Sequence, residues 1–328
     1  MNLGIDLGTA NTVVCDGHHG ILYDQPSVLL VRAGGGRRPK ILAVGQEAAD
    51  LLGRTSSGLL AVRPLQDGVV TDLETARAYL RAVLHEAGRR VWSSPVRAVL
   101  AVPVATTALE NRALLEAAEE AGIRPAIALD GSVAGALGCG IDPMDRRVHL
   151  AVDVGGGTAE AVAFCFGDVL ASRTTKLGGD EMTVAVARHL REQHQLQVGE
   201  LEAEQLKIRS AEENGPLVAQ GRDAATGRAR LATIQAAEVA EAVRPITDEI
   251  VRTLAASLDD LPPQGLSDVL AEGVLVFGGS ARVQGFAAEL ERGLGLPVKL
   301  AEEPLTCVAE GAARALRNRR LLGAYGRK

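Results

Sequence analysis

The sequence has 328 residues, of which 47% are hydrophobic and 23% charged, and it carries a formal net charge of −6. This composition is that of a folded globular chain long enough for roughly two domains. A general nucleic-acid binder has a basic domain, so the acidic balance argues against nucleic acid as a partner.

The cysteines and the apolar runs indicate the cellular compartment of the protein. Cys15, Cys139, Cys165 and Cys307 stand singly, without the C-x-x-C spacing of a metal or redox pair, as buried thiols do in a reducing compartment. No apolar run approaches the roughly 20 residues of a membrane-spanning helix, and the first predicted strand begins too early to leave room for a signal peptide. We therefore expect a cytoplasmic protein.

The first half of the chain alternates strands with helices. Strands are predicted at residues 3–7, 12–15, 27–31, 41–44, 98–103, 127–129 and 148–154, and helices at 73–87, 107–122 and 133–139. The helix at 107–122 begins with Thr107 and Glu110 in a capping box, and the continuous apolar run at 98–103 is typical of a strand buried on both faces. This order predicts an α/β fold with a largely parallel sheet.

The second half repeats the alternation. A hairpin is predicted at 164–175, helices at 180–195, 200–211 and 238–258, a strand at 273–277, and further helices from 286 and from about 303–306. Residues 212–234 are predicted as loop or short strand, and Pro245 should kink or restart the helix that contains it. Together the halves predict a duplicated core with a site in the crevice between them.

One strand-and-turn device occurs twice. Residues 4–12 read GIDLGTANT and residues 151–160 read AVDVGGGTAE, in each case an apolar strand, an aspartate and a glycine–threonine turn. Glycine lets backbone N–H groups approach an anion closely, and a carboxylate at a strand end suits the oxygen ligands and water shell of Mg²⁺. The pair predicts a polyphosphate gripped from two sides, with Asp6 and Asp153 at the metal.

A third phosphate-side element follows the strand at 273–277. Gly278, Gly279, Ser280 and Ala281 stand at a strand-to-helix junction, where glycines admit a ligand to the backbone and a helix N-terminus attracts anions. Alone, this segment fits a bare tight turn, but with the other two it completes a three-part nucleotide site.

These three segments resemble the phosphate-1, phosphate-2 and adenosine motifs of the superfamily of actins, heat-shock chaperones and sugar kinases. Within it, the chain resembles the MreB family of bacterial actins nearly end to end. The phrases specific to that family and its close paralogues are GIDLGTANT at 4–12, LGRT at 52–55, VRPLQDGV at 62–69, GDEM at 179–182, GRD at 221–223 and EPLTCVA at 303–309.

The resemblance implies a duplicated actin-like (ribonuclease H-like) α/β fold of two lobes, with a nucleotide in the cleft between them. It places lobe I at 1–142 and 304–328, with a small subdomain at about 27–72, and lobe II at 143–303, with a small subdomain at about 178–236. It further implies ATP and Mg²⁺ as cofactors and a self-assembled filament at the inner face of the cytoplasmic membrane. Such a filament organises cell-wall synthesis and cell shape, with RodZ, MreC and the elongation machinery as partners.

Two other activities of the superfamily stay open. A small-molecule kinase should bring a catalytic aspartate and a substrate domain, and we find no candidate aspartate beyond Asp6 and Asp153. A chaperone-type ATPase should bring a substrate-binding domain after the core, whereas this sequence stops at Lys328. The filament is therefore the expected function.

The same resemblance assigns the candidate site residues. It places Asp6, Gly8, Thr9, Ala10, Asn11 and Asp153 at the phosphates and metal, Gly155, Gly156, Gly157 and Thr158 at the β- and γ-phosphates, Gly278, Gly279, Ser280 and Ala281 at the adenosine, and Asp130, Thr158 and Glu160 at the hydrolytic centre. Glu204 and Lys207 would contact the ribose and adenine, although their i, i+3 spacing equally fits a surface ion pair.

The chain departs from the family where water is activated. The family's Glu-Glu-Pro segment is here DGS at 130–132, so that Gly131 stands in place of the water-orienting glutamate. Either Asp130 substitutes with a shorter arm or hydrolysis is slow, because general-base help contributes roughly 100- to 10,000-fold. We expect ATP binding with weak hydrolysis. Ser280 likewise replaces a family glycine, a departure that bears on base selectivity.

A membrane contact is predicted at Val91 and Trp92, which lie in a loop flanked by Arg89, Arg90 and Arg97. Tryptophan prefers the headgroup interface, and each arginine is attracted to anionic lipid by about 1 kcal/mol. The segment resembles the family's membrane-insertion loop. The alternative is that Trp92 packs at the edge of the core, since tryptophan is usually buried.

Overall fold

The computed structural model describes residues 1–32, 40–55, 58–66, 69–70, 72–88 and 96–327. Within them the strands are β1 (Asn2–Leu7), β2 (Asn11–Asp16), β3 (Gly20–Pro26), β4 (Leu29–Arg32), β5 (Lys40–Val44), β6 (Leu59–Val62), β7 (Leu65–Gln66), β8 (Val69–Val70), β9 (Val96–Val102), β10 (Ile123–Asp130), β11 (His149–Val154), β12 (Ala159–Cys165), β13 (Asp168–Thr175), β14 (Leu196–Gln197), β15 (Pro216–Asp223), β16 (Ala229–Gln235), β17 (Val274–Phe277) and β18 (Val298–Leu300). The α-helices are α1 (Gln46–Ala49), α2 (Leu73–Ala87), α3 (Ala108–Glu120), α4 (Gly131–Gly138), α5 (Gly179–His194), α6 (Glu200–Glu212), α7 (Ala236–Ala255), α8 (Pro263–Glu272), α9 (Phe286–Leu294), α10 (Cys307–Ala315) and α11 (Arg319–Tyr325).

Two five-stranded sheets of the same topology lie at the centre of the described chain. Their orders are β10-β9-β1-β2-β3 and β13-β12-β11-β17-β18. In each, three consecutive strands form an antiparallel meander whose first strand pairs in parallel with a later one. The predicted duplicated α/β core is confirmed. The expectation of largely parallel sheets is wrong, because each hairpin that carries a glycine–threonine turn adds antiparallel pairs.

Smaller sheets lie within the segments that the sequence assigns to small subdomains. The sheet β5-β4-β6 lies within 27–72 and β14-β15-β16 lies within 178–236. The latter corrects the prediction for 212–234, since β15 and β16 are paired strands of seven or eight residues. Only Leu217 and Ala219 of β15 are buried, so its apolar alternation was too short to indicate a strand. The exact lobe boundaries stay a prediction.

The predicted helices are present, with one correction. Thr107 and Glu110 form the capping box, because each side chain accepts the backbone N–H of the other residue. The helix α7 runs without a restart through Pro245. Its buried face includes Val243 before the proline and Ile250 after it, and both pack into one core, which holds the two halves in a single helix. Within the described residues, no helix is both long and apolar enough to cross a membrane.

The helices α4 and α10 pack against each other between the two large sheets. One buried cluster joins both sheets to both helices through Val99, Leu129, Ala151, Phe277, Val133, Ala134, Val308 and Ala312. A Cβ on Gly311 would overlap the carbonyl oxygen of Ala134, and one on Gly138 would overlap that of Cys307. Glycine at these positions permits the close approach of the helices, which sets the spacing of the sheets and hence the base of the cleft.

Candidate nucleotide site

The two aspartate-bearing strands end at the same cleft. β1 and β11 each turn back into the next strand of a hairpin, through residues 8–10 and 155–158. The turns lie so close that a Cβ on Gly156 would be 2.7 Å from the Cβ of Ala10. Both turns therefore border one space.

That space is a cavity of about 280 Å³. Among the residues that line it are Asp6, Gly8, Thr9, Ala10, Asn11, Val102, Gly131, Asp153, Gly155, Gly156, Gly157, Thr158, Glu160, Gly179, Asp180, Glu204, Lys207, Ile208, Ala211, Arg282, Val283, Gly278, Gly279, Ser280 and Leu305. The cavity thus brings together the predicted site residues of the described chain, apart from Asp130 and Ala281. Ala281 packs instead into the core beneath the second large sheet. Val91 and Trp92 lie outside the described residues.

A serine hydroxyl holds each turn from outside the hairpin. Ser27 donates to the carbonyl oxygen of Gly8 at 2.7 Å, and Ser280 donates to that of Gly155 at 2.8 Å. The N–H of Gly179 also donates to Gly155, at 3.0 Å, and so ties the start of α5 to the same turn. The departure from glycine at Ser280 therefore adds a bond that positions the second turn.

Asp6 and Asp153 place two carboxyl groups at the cavity. Burial, assisted by the charge of Asp24, raises the pKa of Asp6 to about 7. Burial and then the charge of Asp6 raise the pKa of Asp153 well above its ordinary value. Such a pair resists double ionisation until a cation supplies the opposite charge. The pair therefore fits Mg²⁺, which prefers oxygen ligands.

Glu160 adds a third carboxyl group to the cavity. It lies opposite Asp153 in the β11–β12 ladder. One carboxylate oxygen accepts the N–H of Val104 at 3.2 Å, and the other accepts the hydroxyl of Thr174 at 3.2 Å. Burial, followed by the charge of Asp130, raises its pKa to about 7. A fixed carboxyl group with a pKa near neutrality is suited to accept and return a proton.

Asp130 does not line the cavity, although its charge acts on the neighbouring Glu160. Its Oδ1 accepts the N–H of Ser132 at 2.9 Å as the N-cap of α4, and its side chain is buried outside the cavity lining. Burial raises its pKa to about 6. Gly131 does line the cavity, and a Cβ there would lie 3.9 Å from Oδ2 of Asp153. The geometry therefore argues against Asp130 as a short-armed substitute for the family glutamate.

The helix α6 presents one face to the cavity. Glu204, Lys207, Ile208 and Ala211 line it at spacings of one helical turn. The Nζ of Lys207 donates to Glu204 at 2.7 Å, to the carbonyl of Gly179 at 2.7 Å and to the hydroxyl of Thr183 at 2.9 Å. The ion pair exists, but Lys207 is buried rather than on the surface. Since its three donors are used, Lys207 holds Glu204 in place at the cavity.

Several lining residues were not predicted from the sequence. Asp180 follows the start of α5, and its N–H donates to the carbonyl of Gly156 at 2.8 Å. Burial raises the pKa of Asp180, and the positive charge of Arg63 partly opposes that shift. The motif at 179–182 offered a signal for it. Arg282 and Val283 follow the adenosine-type turn, and no pattern in the sequence marks them.

Two sheets of one topology, joined at their base and closing a cavity with two aspartate-bearing turns, define an actin-like protein. The fold is similar to that of MreB5 of Spiroplasma citri bound to AMPPNP, with a TM-score of 0.87, 27% identity and 98% coverage of both chains. The MamK double helical filament shares the fold at a TM-score of 0.80 and 23% identity, over 96% of this chain and 98% of that one.

Sequence comparison narrows the class. The family described as MreB/Mbl protein matches residues 1–323. Over 322 residues the chain is 33% identical to the cell shape-determining protein Mbl of Bacillus subtilis (strain 168), covering 97% of this chain and 96% of Mbl. It is 34% identical over 322 residues to the cell shape-determining protein MreB of Escherichia coli (strain K12), covering 96% of this chain and 93% of that protein. The chain belongs to the MreB/Mbl family.

Proposed function

We propose that the chain binds ATP with Mg²⁺ in its cleft and assembles into an actin-like filament that organises cell-wall synthesis and cell shape. The meeting of two aspartate-bearing turns at one cavity is the observation that carries nucleotide binding. The cell-shape role is supported by the names of the curated relatives, and the nucleotide by the AMPPNP bound to MreB5.

Each wall of the cavity has a part in this proposal. The turns at 8–10 and 155–158 would hold the phosphates, and Asp6 with Asp153 would hold Mg²⁺ through its water shell. Mg²⁺ would neutralise the phosphate and carboxylate charge. Glu204, positioned by Lys207, and the apolar Ile208 and Val283 would contact the nucleoside.

Hydrolysis in this cavity should be weak. The family's water-orienting carboxylate is missing at Gly131, and the carboxylate of Asp130 caps a helix. Glu160 and Thr158 still line the cavity, and Glu160 is the carboxylate left to accept a proton from water. Because its two oxygens already hold Val104 and Thr174, its reach is limited, and bound ATP should persist in the filament.

The filament would lie at the inner face of the cytoplasmic membrane. The predicted contact is the loop of Val91 and Trp92, and RodZ, MreC and the elongation machinery are the partners that family membership suggests. A single loop binds weakly, but a filament displays many copies, and their combined binding is strong.

The test combines assembly and lipid binding. Purified chain should form filaments visible by electron microscopy with ATP and Mg²⁺, and should sediment with vesicles of anionic lipid. Trp92→Ala should lose sedimentation while keeping assembly, and full retention of lipid binding would refute the loop. A chain that stays monomeric and transfers the γ-phosphate of ATP to a small molecule would instead indicate the kinase alternative.

A further inference from the structure

Two histidines and a glutamate meet where the end of α5 packs beside the start of α7. His189 and His194 lie on α5 and Glu238 lies on α7. One ligand atom from each of the three residues lies within 4.8 Å of the others. None of the three lines the nucleotide cavity, so this cluster is separate from the proposed ATP site.

The two separations between the histidines and Glu238 are close to those in a tetrahedral metal site. Nε2 of His194 lies 2.8 Å from Oε2 of Glu238, and Nε2 of His189 lies 3.7 Å from the same oxygen. Metal bonds of about 2.0–2.1 Å place neighbouring tetrahedral ligands roughly 3.3 Å apart. The two separations fall on either side of this value, so small side-chain rotations would complete the site.

The two carboxylate oxygens of Glu238 have different partners. Oε1 accepts the N–H of Gln235 at 2.9 Å and completes the capping box of α7. This hydrogen bond contributes most to the lowered pKa of Glu238, and the carboxylate is therefore ionised at neutral pH. Oε2 is directed at both histidines, and a metal would bind it through this one oxygen.

His189 distinguishes the cluster from an ordinary histidine–glutamate pair. Its Nε2 is buried and has no hydrogen-bond partner among the described residues. A buried polar atom without a partner is unfavourable and calls for an explanation. Oε2 of Glu238 bonds to His194 and leaves His189 at a longer electrostatic contact of 3.7 Å, whereas an ion between the three side chains would bind both imidazoles.

The backbone around the cluster is fixed. The guanidinium of Arg230 donates to the carbonyl of His194 at 2.9 Å and to Oδ2 of Asp223 at 3.1 Å. The end of α5 is thereby tied to the β15–β16 hairpin, and the charge of Arg230 is offset by Asp223. The ligands are therefore presented from elements that are already in place.

We propose that His189, His194 and Glu238 bind one transition-metal dication, with Zn²⁺ as the reference ion and water at the fourth position. Imidazole with one carboxylate favours Zn²⁺, Co²⁺, Ni²⁺ or Cu²⁺, whereas Mg²⁺ prefers oxygen ligands alone. The ion would clamp the end of α5 to the start of α7. The other end of α5 holds the phosphate-side turn through Gly179, so the clamp would stiffen a helix that begins at the cleft.

The experiment uses the full chain without an affinity tag, free of nucleotide and in excess Mg²⁺ so that the carboxylates of the cleft are occupied. Zn²⁺ is titrated against a chromophoric chelator, and Co²⁺ is titrated for the visible absorption of four-coordinate nitrogen–oxygen ligation. The wild type should bind one equivalent and gain thermal stability with Zn²⁺. H189Q and H194Q should each lose at least about tenfold in affinity, as even loss of a supporting partner costs that much.

H85Q is the matched control, because His85 is exposed on α2 and is not part of a metal-binding cluster among the described residues. It should bind Zn²⁺ like the wild type. If a histidine variant misfolds by circular dichroism, E238Q replaces it, since Gln retains an oxygen for the capping bond and loses the charge. The proposal fails if the wild type binds no Zn²⁺ beside Mg²⁺, if H189Q and H194Q keep full affinity, or if H85Q loses as much.

Discussion

A Cβ can be added at Gly131, in the cavity wall, without a close contact. The nearest atoms to a Cβ there are the carbonyl oxygen of Val102 at 3.5 Å and Oδ2 of Asp153 at 3.9 Å, which are ordinary contacts. Gly131→Glu should therefore fit and point a carboxylate toward the phosphate end of the site. We expect phosphate release from Mg²⁺-ATP to rise at least about tenfold, part of the range for general-base help.

Gly131→Gln is the control for this change. It adds the same length without a base, so its rate should stay near that of the wild type. A wild type that already releases phosphate as fast as Gly131→Glu would contradict the assigned role of this position.

The buried carboxyl groups of Asp6, Asp153 and Glu160 should make the metal-free chain sensitive to pH. The folded state raises the pKa of Asp6 to about 7, so ionisation opposes folding and stability should increase as pH falls from 8 to 6. Arg147 lowers the pKa of Asp145 to about 2. The stability that this interaction gives the folded chain is therefore lost only at more acidic pH, outside this window. We expect the melting temperature of the nucleotide-free chain to be a few degrees higher at pH 6 than at pH 8.

Asp6→Asn tests the cause of that slope. It should reduce the pH dependence without abolishing it, because Glu160, whose pKa is also raised to about 7, keeps its share. It should also raise the melting temperature at pH 8 and abolish Mg²⁺-dependent nucleotide binding. Mg²⁺ added to the wild type should flatten the slope as well, because the cation offsets the same charges. An unchanged slope in Asp6→Asn would assign the pH dependence to other groups.

The sequence indicates the polar half of the cavity better than its apolar half. Aspartate and glycine at strand ends have few structural reasons to recur together, so Asp6, Asp153 and Gly156 could be predicted. Ile208 and Leu305 touch the cavity, but in sequence an apolar residue that contacts a ligand looks like one that packs in a core. The role of Asp130 as the N-cap of α4 could not be predicted, because the sequence does not determine the residue at which α4 begins.

At the scale of elements, strands exposed on one or both faces were the hardest to predict. Most of β3 is exposed or half-buried, so it lacks the apolar run that marked β9. The helix α7 was easier, since Val239, Val243, Ile250 and Leu254 recur at helical spacing. That stripe outweighed Pro245, because packing of the whole face compensates one lost backbone hydrogen bond.

The crossing of α4 and α10 yields a stability prediction. Gly311→Ala would drive a methyl group into the carbonyl of Ala134, so the helices must separate, and overpacking of this kind costs about 1–3 kcal/mol. We expect the melting temperature to fall by several degrees. Gly323→Ala on α11 is the control, since a Cβ there meets nothing within 4 Å and alanine favours helix.

Both substitutions are measured by thermal unfolding of the nucleotide-free chain. The prediction is wrong if Gly311→Ala melts at or above the temperature of Gly323→Ala. A second readout is nucleotide affinity, which should fall in Gly311→Ala because the two turns of the cleft shift apart when the helices between the sheets separate.

On the scale of the whole molecule, duplication explains why one motif pair could reveal the architecture. Each large sheet presents its first strand at the centre, and each such strand ends in the aspartate and turn that face the cleft. The relative position of the halves could not be predicted, because it depends on the contact of α4 with α10 and on residues that approach across the open side of the cleft.

One such contact bridges the open side. A guanidinium nitrogen of Arg63 lies 2.6 Å from Oε1 of Glu200, at the start of α6, and another donates to the carbonyl of Thr9 at 3.4 Å. The pair joins residues far apart in sequence and lies beside the phosphate-side turn. Its side chains are partly exposed, so its contribution is at most about 1 kcal/mol.

We expect Arg63→Gln to speed the release of nucleotide, because opening of the cleft no longer breaks this ion pair. A loss of about 1 kcal/mol corresponds to roughly a fivefold faster release, measured by displacement of a fluorescent ATP analogue. Arg209→Gln is the matched control, since it removes an exposed pair of arginine with Glu213 that does not line the cavity. Equal release rates in Arg63→Gln and Arg209→Gln would show that the pair of Arg63 with Glu200 does not hold the cleft closed.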